Sequence, residues 1–296
     1  MPNPGEPWTV RRLLEWTSTF FTRKEVDAPR LSAELLLSHV LGVPRIKLYT
    51  DYETIVSEKN LAAYRELVRR ASEHEPIAYL TGKAYFFNLE FEIEPGVLIP
   101  RPDTETLVEN VLQLARNTAG FESPRVMDLC TGSGCIAAAI ASRLKNAAVI
   151  ATDISDKAVA VARKNIERLG LSDRVTIAQG DLFEPLKEMV DARPFDLVVA
   201  NPPYIPSAEI ARLDRNVREY EPVTALDGGM DGLMVHRRIL QQAGERLRAS
   251  GRIYLEIQFD QAPAATEMFV SHDEFEDVRV LKDHAGNNRV VTARRK

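Results

Sequence analysis

The fold is decided by residues 128–137, which read DLCTGSGCIA. This stretch joins a short apolar run to an Ala-rich segment, so it predicts a loop between a buried strand and a helix. Gly132 and Gly134 lack Cβ atoms, which lets the backbone turn sharply and approach a ligand closely. Asp153 ends the next apolar run, where its carboxylate can accept hydrogen bonds from two ribose hydroxyls. The pattern is typical of a site for a nucleotide-like ligand.

Two other interpretations of this loop stay open at this point. Gly132, Gly134 and Ala137 also have the relaxed dinucleotide-binding spacing, which would fit a nicotinamide-dependent enzyme. A tight turn without a ligand fits as well, because short glycine motifs are weakly specific.

Strand and helix patterns alternate along the rest of this region, which predicts an α/β fold with an open, mostly parallel sheet. Two β-rich runs close the chain and predict an antiparallel hairpin at the sheet edge. We therefore expect a Rossmann-like, seven-stranded sheet that binds ligands at its carboxyl edge. The predicted strands cover residues 126–129, 148–152, 175–178, 195–200, 252–257, 277–281 and 289–293.

The chain is predicted to have three parts. Residues 1–75 show helical periodicity and predict a small N-terminal helical bundle. Residues 76–105 form a linker with a β-hairpin arm, and Asp103 or Thr104 is expected to cap the helix that follows. Residues 106–296 form the α/β domain.

Composition argues against several classes of function. A net charge of −5 argues against a nucleic-acid binder, and no apolar run reaches the ~18 residues of a membrane span. The start of the chain lacks the features of a secretory signal. Only Cys130 and Cys135 occur, which fits a reducing cytoplasm, and the five histidines have no metal-ligand spacing. We expect a cytoplasmic monomer without a metal site.

Asn201-Pro202-Pro203-Tyr204 follows the fourth predicted strand of the sheet. The Asn201 side chain and the Pro202 carbonyl offer two acceptors, and Tyr204 offers an aromatic face, an arrangement that suits a planar NH₂ group. A strand-ending turn is the alternative interpretation, since Asn and Pro are ordinary turn formers.

Asp181, Leu182 and Phe183 follow the third strand and can frame an adenine ring. Asp181 would face the exocyclic amine, while Leu182 or Phe183 would pack against the ring. A surface turn is the alternative role for Asp181.

Together these motifs resemble S-adenosylmethionine-dependent amino-methyltransferases, and within them the release-factor glutamine methyltransferases (the HemK/PrmC family). The resemblance covers nearly the whole chain. Its further motifs are EPIAYLTG at residues 75–82, LIPRPDTE at 98–105, EP at 221–222, ALDGGMDGL at 225–233 and KDHAG at 282–286. Two positions depart from the family pattern, Cys130 and Gln258, where glycine is common.

The resemblance implies a methyltransferase sheet, S-adenosylmethionine as cofactor and peptide-chain release factors as protein substrate. The transferred methyl group would go to the side-chain amide nitrogen (N5) of the glutamine in their Gly-Gly-Gln motif, and the N-terminal domain would recognise the partner protein. The implied catalytic residues are Asn201, Pro202 and Tyr204, and the implied substrate-binding residues are Asn201, Pro202, Pro203 and Tyr204. The implied cofactor-binding residues are Asp128, Cys130, Thr131, Gly132, Ser133, Gly134, Asp153, Asp181, Leu182, Phe183 and Asn201, with Arg101 and Glu105 shaping the pocket.

Three alternatives remain at this level. A related enzyme would methylate glutamine on a ribosomal protein. A nucleic-acid enzyme would methylate the N6 amine of adenine or the N2 amine of guanine with the same four residues. A non-catalytic protein would keep the pocket without the chemistry.

Overall fold

The computed structural model describes residues 7–189 and 193–296. The start of the chain at residues 1–6, for which no secretory signal is expected, lies outside the described residues. The chain divides into two compact units, Met1–Lys83 with Asp214–Tyr220 and Ala84–Leu213 with Glu221–Lys296. Among the described residues, no helix combines the length and the apolarity needed to cross a membrane.

The first unit is helical. The first helix begins where the Thr9 hydroxyl accepts a hydrogen bond from the Arg12 backbone N–H at 3.3 Å. The second helix has proline at its first position and ends at Gly42, which is in the left-handed conformation. Apolar faces of these helices bury a core around Phe21 and Tyr64. The N-terminal helices of this unit are α1 (Val10–Arg23), α2 (Pro29–Leu41), α3 (Lys47–Thr50), α4 (Glu58–Ser72) and α5 (Ile77–Thr81).

The helical unit extends past the predicted boundary at residue 75. Pro76 precedes α5 and Gly82 ends it with a φ of 70°, so the EPIAYLTG motif forms a short helix. Leu80 from this helix is 7% exposed and packs in the core of the first unit. The N-terminal segment of the first unit therefore ends at Lys83.

The second unit begins with a hairpin and continues as an α/β sheet. Its elements to the middle of the chain are β1 (Lys83–Phe86), β2 (Leu89–Glu92), α6 (Glu105–Asn117), β3 (Arg125–Leu129), α7 (Cys135–Arg143), β4 (Ala148–Asp153), α8 (Asp156–Arg168), β5 (Val175–Gln179) and β6 (Phe195–Ala200). A short helix, α9 (Arg215–Arg218), follows and belongs to the first unit. The remaining elements are α10 (Met234–Arg246), β7 (Leu247–Glu256), α11 (Ala262–Val270), β8 (Phe275–Lys282) and β9 (Asn288–Arg295).

The seven-stranded sheet has the order β5-β4-β3-β6-β7-β9-β8. The strands β3 to β7 pair in parallel, and β9 pairs antiparallel with both β7 and β8. This confirms the expected Rossmann-like methyltransferase sheet with an antiparallel hairpin at its end. Because successive side chains point to opposite faces, Val126 packs with α6, α7 and α8, whereas Met127 packs with α10 and α11.

The parallel strands direct their carboxyl ends to one edge of the sheet. The loops after β3, β4, β5 and β6 therefore meet there, and these loops carry the motifs that the sequence analysis singled out. The helices α3, α5, α9 and α11 were not predicted. Three of them are single turns, which have too few residues to show periodicity.

Candidate active site

A cavity of about 410 Å³ lies at the carboxyl ends of β3, β4 and β6, within the second unit. Ten of the predicted site residues line it. They are Arg101, Cys130, Thr131, Gly132, Ser133, Asp153, Asp181, Leu182, Asn201 and Pro203. The structure does not bring Glu105, Asp128, Gly134, Phe183, Pro202 or Tyr204 to the cavity wall.

The loop after β3 owes its shape to left-handed backbone conformations. Gly132 has a φ of 56° and Gly134 a φ of 81°, and a Cβ added at Gly132 would meet nothing within 4 Å. Cys130 has a φ of 56°, although it carries a side chain. Glycine is favoured in this conformation, which gives a physical reason for the family preference at this position.

Asp128 supports this loop from below. It is fully buried, and its Oδ2 accepts hydrogen bonds from the Thr131 hydroxyl at 2.6 Å and from the Ala137 backbone N–H at 3.1 Å. Burial raises the pKa of Asp128 to about 7, and these two hydrogen bonds oppose that rise. Asp128 therefore stabilises the loop and does not reach the cavity, which corrects its expected role as a direct cofactor contact.

Asp153 lines the cavity, and both of its carboxylate oxygens accept backbone hydrogen bonds. Oδ2 accepts a hydrogen bond from the Gly132 N–H at 2.8 Å, and Oδ1 accepts one from the Ser155 N–H at 2.9 Å. Burial raises the pKa of Asp153, and the backbone hydrogen bonds oppose that rise. A carboxylate has about four acceptor positions, so one remains on each oxygen for a ligand.

The loop after β5 contributes Leu182 to the cavity and places Phe183 in the core. Leu182 has a φ of 51°, which turns the chain so that Phe183 is 1% exposed among the residues beneath α10. The expectation that Phe183 packs against the ligand is therefore corrected. Asp181 also lines the cavity, and its carboxylate accepts a hydrogen bond from Arg238, a cavity residue that the sequence analysis missed.

Arg101 and Glu105 have separate roles. Arg101 lines the cavity and forms an ion pair with Glu221, whose side chain is 2% exposed and also accepts a hydrogen bond from the Ile99 N–H at 3.2 Å. Glu105 instead accepts a hydrogen bond from the Phe87 N–H at 2.7 Å, in the hairpin turn between β1 and β2. Glu105 does not shape the pocket.

Residues 201–204 form a turn after β6, here called the Asn201–Tyr204 corner, that lies between the cavity and the core. Asn201 Nδ2 donates to the Thr104 hydroxyl at 3.1 Å, which leaves Oδ1 without a hydrogen bond among the described residues. The Tyr204 hydroxyl donates to Glu256 Oε1 at 3.2 Å, and burial raises the pKa of that phenol. This hydrogen bond holds the Tyr204 hydroxyl against Glu256, and Tyr204 does not line the cavity. The stacking of its ring on a substrate amide stays a prediction.

Thr104 differs from its predicted role. It occupies the N-cap position of α6 but makes no capping hydrogen bond with its side chain. Its hydroxyl accepts from Asn201 instead. The cap expected at Thr104 is therefore replaced by a contact with the candidate catalytic amide.

The back of the corner is held by the turn after β7. Gln261 Nε2 donates to the Tyr204 carbonyl at 2.8 Å, and the Gln258 N–H donates to Gln261 Oε1 at 2.9 Å. A Cβ added at Gly232 would lie 2.2 Å from both the Tyr204 carbonyl oxygen and Gln261 Nε2. The ALDGGMDGL motif is therefore a turn that packs directly against this corner, and Gln258 helps to orient Gln261.

Asn165 on α8 is a second support that the sequence analysis missed. It is fully buried, and its Nδ2 donates to the carbonyls of Glu92 and Ser133, each at 3.0 Å. Its Oδ1 accepts from the Glu92 N–H at 2.7 Å. One side chain thus ties the glycine loop to the hairpin, and an asparagine in a helix carries no sequence signal for that role.

The unusual position of Glu256 could have been recognised from the sequence. It ends an apolar stretch of β7 whose last four residues are buried, and a carboxyl group in such a place requires a compensating interaction. Burial raises the pKa of Glu256 to about 7, while Thr104, Arg289 and Tyr204 oppose that rise.

Comparison with known proteins identifies the family. Residues 12–82 match the family described as the PrmC N-terminal domain, and residues 102–213 match the methyltransferase small domain. A release factor glutamine methyltransferase of Geobacter sulfurreducens is 42% identical over 294 residues, covering 99% of each chain. One from Rhodopirellula baltica is 41% identical over 287 residues, covering 97% of this chain and 96% of that protein. The chain belongs to the release factor glutamine methyltransferase family.

A solved structure of more distant sequence shares the fold of this family member. The human METTL16 catalytic domain in complex with an RNA hairpin has a TM-score of 0.54 at 18% identity, covering 70% of this chain and 74% of that chain. The likeness is one of fold.

Proposed function

We propose that this chain methylates the side-chain amide nitrogen (N5) of the glutamine in the Gly-Gly-Gln motif of peptide-chain release factors, with S-adenosylmethionine as cofactor. The observation that carries the proposal is the orientation of Asn201 at the cavity wall. Its Nδ2 is bonded to Thr104, so its Oδ1 is the atom available to accept an N–H from a substrate amide.

The residues present fit the cofactor. Asp153 keeps acceptor capacity for two ribose hydroxyls, and Ile136, Ile154 and Leu182 supply apolar wall. The Ser133 hydroxyl is buried at the wall and makes no hydrogen bond among the described residues, so it is suited to a polar group of the ligand. When bound, the cofactor supplies an electrophilic methyl group on a sulfonium.

The protein's contribution is to grip and orient the amide. An amide nitrogen is a poor nucleophile because its lone pair is delocalised into the carbonyl. If Asn201 Oδ1 accepts one of its hydrogens, the nitrogen gains electron density and a fixed direction. The second predicted acceptor, the Pro202 carbonyl, belongs to a buried residue that does not line the cavity, so the proposal assigns this role to Asn201. Such positioning can lower the barrier by about 7–11 kcal/mol.

We also propose that the N-terminal helical unit recognises the partner protein. Its match to a domain named for this family supports that role.

The test is mass spectrometry of release factors after incubation with the chain and isotope-labelled S-adenosylmethionine. We expect one methyl group on the glutamine of the Gly-Gly-Gln peptide. A ribosomal protein mixture and a DNA and RNA mixture serve as competing substrates. Methyl transfer to either of these, with the release factor unmodified, would overturn the proposal.

A further inference from the structure

Gln261 contacts the Asn201–Tyr204 corner without lining the cavity. It is 7% exposed, and its side-chain Nε2 donates to the Tyr204 carbonyl at 2.8 Å and to the Asp231 carbonyl at 3.3 Å. Its Oε1 accepts the Gln258 backbone N–H at 2.9 Å. These partners allow one orientation of the carboxamide, because the N–H can donate only to its oxygen and the two carbonyls can accept only from its nitrogen.

The corner depends on contacts at its two ends, because its middle consists of two prolines. Pro202 and Pro203 have no backbone N–H to donate, and their rings restrict φ. At the first end, the Asn201 side chain donates to the Thr104 hydroxyl at 3.1 Å. The second end is Tyr204, and a displacement there reaches Asn201 through two residues that have little freedom to absorb it.

The peptide group between Tyr204 and Ile205 is hydrogen-bonded on both sides. Its carbonyl oxygen accepts from Gln261 at 2.8 Å, and its N–H donates to the Leu226 carbonyl at 2.9 Å. A Cβ added at Gly232 would lie 2.2 Å from both the Tyr204 carbonyl oxygen and Gln261 Nε2, so the chain packs closely around this bond. Gln261 therefore restricts the corner at the end opposite Asn201.

We propose that Gln261 is a positioning residue for methyl transfer, which fixes the Tyr204 carbonyl and thereby holds the corner where Asn201 Oδ1 faces the substrate amide. This inference rests on the proposed function, because it assigns Gln261 a role in orienting Asn201. Gln261 does not line the cavity, so its loss should act on turnover and leave cofactor affinity nearly unchanged.

Gln261→Glu is the sharpest variant. A carboxylate of the same size can still accept the Gln258 N–H, but it has no hydrogen to donate to the Tyr204 carbonyl. Removing a donor that contacts the reacting group lowers kcat about 10²- to 10³-fold, so we expect an indirect contact to cost about 10- to 50-fold. The KM for the release factor and the Kd for S-adenosylmethionine should each stay within about threefold of wild type, because an indirect contact leaves the groups that bind both ligands in place.

Two further variants separate the missing hydrogen bond from the added charge. Gln261→Met removes the donor without adding a charge and should also lower kcat by about tenfold or more. Gln241→Glu is the matched control, since it adds the same charge to an exposed residue of α10. Its kcat should equal that of wild type. Equal kcat for Gln261→Glu and Gln241→Glu would overturn the positioning role.

A double variant tests whether Gln261 acts through Asn201. In an Asn201→Ala background, Gln261→Glu should lower kcat less than about threefold, because the side chain that it positions is already absent. A role confined to stabilising the fold would leave kcat per folded molecule unchanged in the single variant. Losses that multiply in the double variant would show that Gln261 does not act through Asn201.

A readout independent of activity is the hydrogen exchange of the Ile205 amide, which shares a peptide group with the Tyr204 carbonyl. Loss of one hydrogen bond in Gln261→Glu should speed this exchange about tenfold and leave the amides of β6 unchanged, whereas a general loss of stability would speed both. Unchanged exchange at Ile205, or an equal increase in β6, would overturn the inference. Wild-type chain that leaves the release factor unmethylated would overturn the proposed function instead, and the exchange comparison would still decide whether Gln261 holds the corner.

Discussion

Replacing Asp153 with asparagine tests the cofactor end of the cavity. The carboxylate accepts the Gly132 and Ser155 N–H groups, at 2.8 and 2.9 Å, with different oxygens. One further acceptor position on each oxygen is expected to take a ribose hydroxyl. Asparagine is nearly isosteric but has one acceptor oxygen, so it can serve only one hydroxyl and one of the two backbone donors.

The expected loss follows from these contacts. A hydrogen bond to a charged group contributes about 1.5–3 kcal/mol. Losing one ribose contact of this kind should weaken binding by about 1.5–3 kcal/mol, which corresponds to an increase in Kd of about 10- to 140-fold. The loop should also lose part of its order, because one backbone N–H is left without its acceptor.

Isothermal titration calorimetry with S-adenosylmethionine measures this change directly. Asp173→Asn is the matched control, since it removes the same charge from a side chain that is 77% exposed and does not line the cavity. Its Kd should stay within about twofold of wild type. A folded Asp153→Asn variant with a Kd within threefold of wild type would refute the reasoning.

Three further predictions concern the corner and the core. Asn201→Ala should lower turnover about 10²- to 10³-fold in the methyl-transfer assay, and a loss below tenfold would remove Asn201 from the proposed mechanism. Gly232→Ala should lower turnover and destabilise the fold by about 2–4 kcal/mol in urea unfolding, because its Cβ would lie 2.2 Å from the Tyr204 carbonyl oxygen. The control Gly286→Ala, also at positive φ but with nothing within 4 Å of its Cβ, should cost only about 1–2 kcal/mol. Equal losses of unfolding free energy in the two variants would contradict the steric argument. Burial lowers the pKa of His236 to about 4, so the unfolded chain binds a proton first as the pH falls below about 6.5 and stability is lost between pH 6.5 and pH 4. Relative to His236→Gln, whose amide can still donate to the Glu256 carbonyl, wild type should lose about 2 kcal/mol of unfolding free energy between pH 7 and pH 4.5, and parallel pH profiles would show that His236 does not titrate this way.

The sheet could be predicted because parallel strands buried on both faces form continuous apolar runs. Residues 197–200 are such a run, and the predicted and observed bounds of their strand, Phe195–Ala200, agree. The carboxyl-edge position of the site followed from the alternation of strands and helices alone. Short helices such as α5 could not be predicted, because a single turn has too few residues to show periodicity.

The sequence predicted which loops form the site, but it did not predict which side chains bond to each other there. Asn201 and Thr104 are far apart in sequence, as are Tyr204 and Glu256, and only tertiary packing brings them together. Leu182 and Phe183 are adjacent, and the backbone turn at Leu182 decides which of them reaches the cavity. No composition or spacing rule reports that turn for a non-glycine residue.

The three hydrogen bonds of Asn165 have a consequence for cooperativity. They link the hairpin, the glycine loop and α8 through a single carboxamide, so none of these segments can open alone without leaving buried polar groups unpaired. Amide protons in all three should then exchange with deuterium through one shared opening event. The glycine loop that lines the cavity would then be as rigid as the segments it is bonded to, so the binding site would be preorganised before the ligand binds.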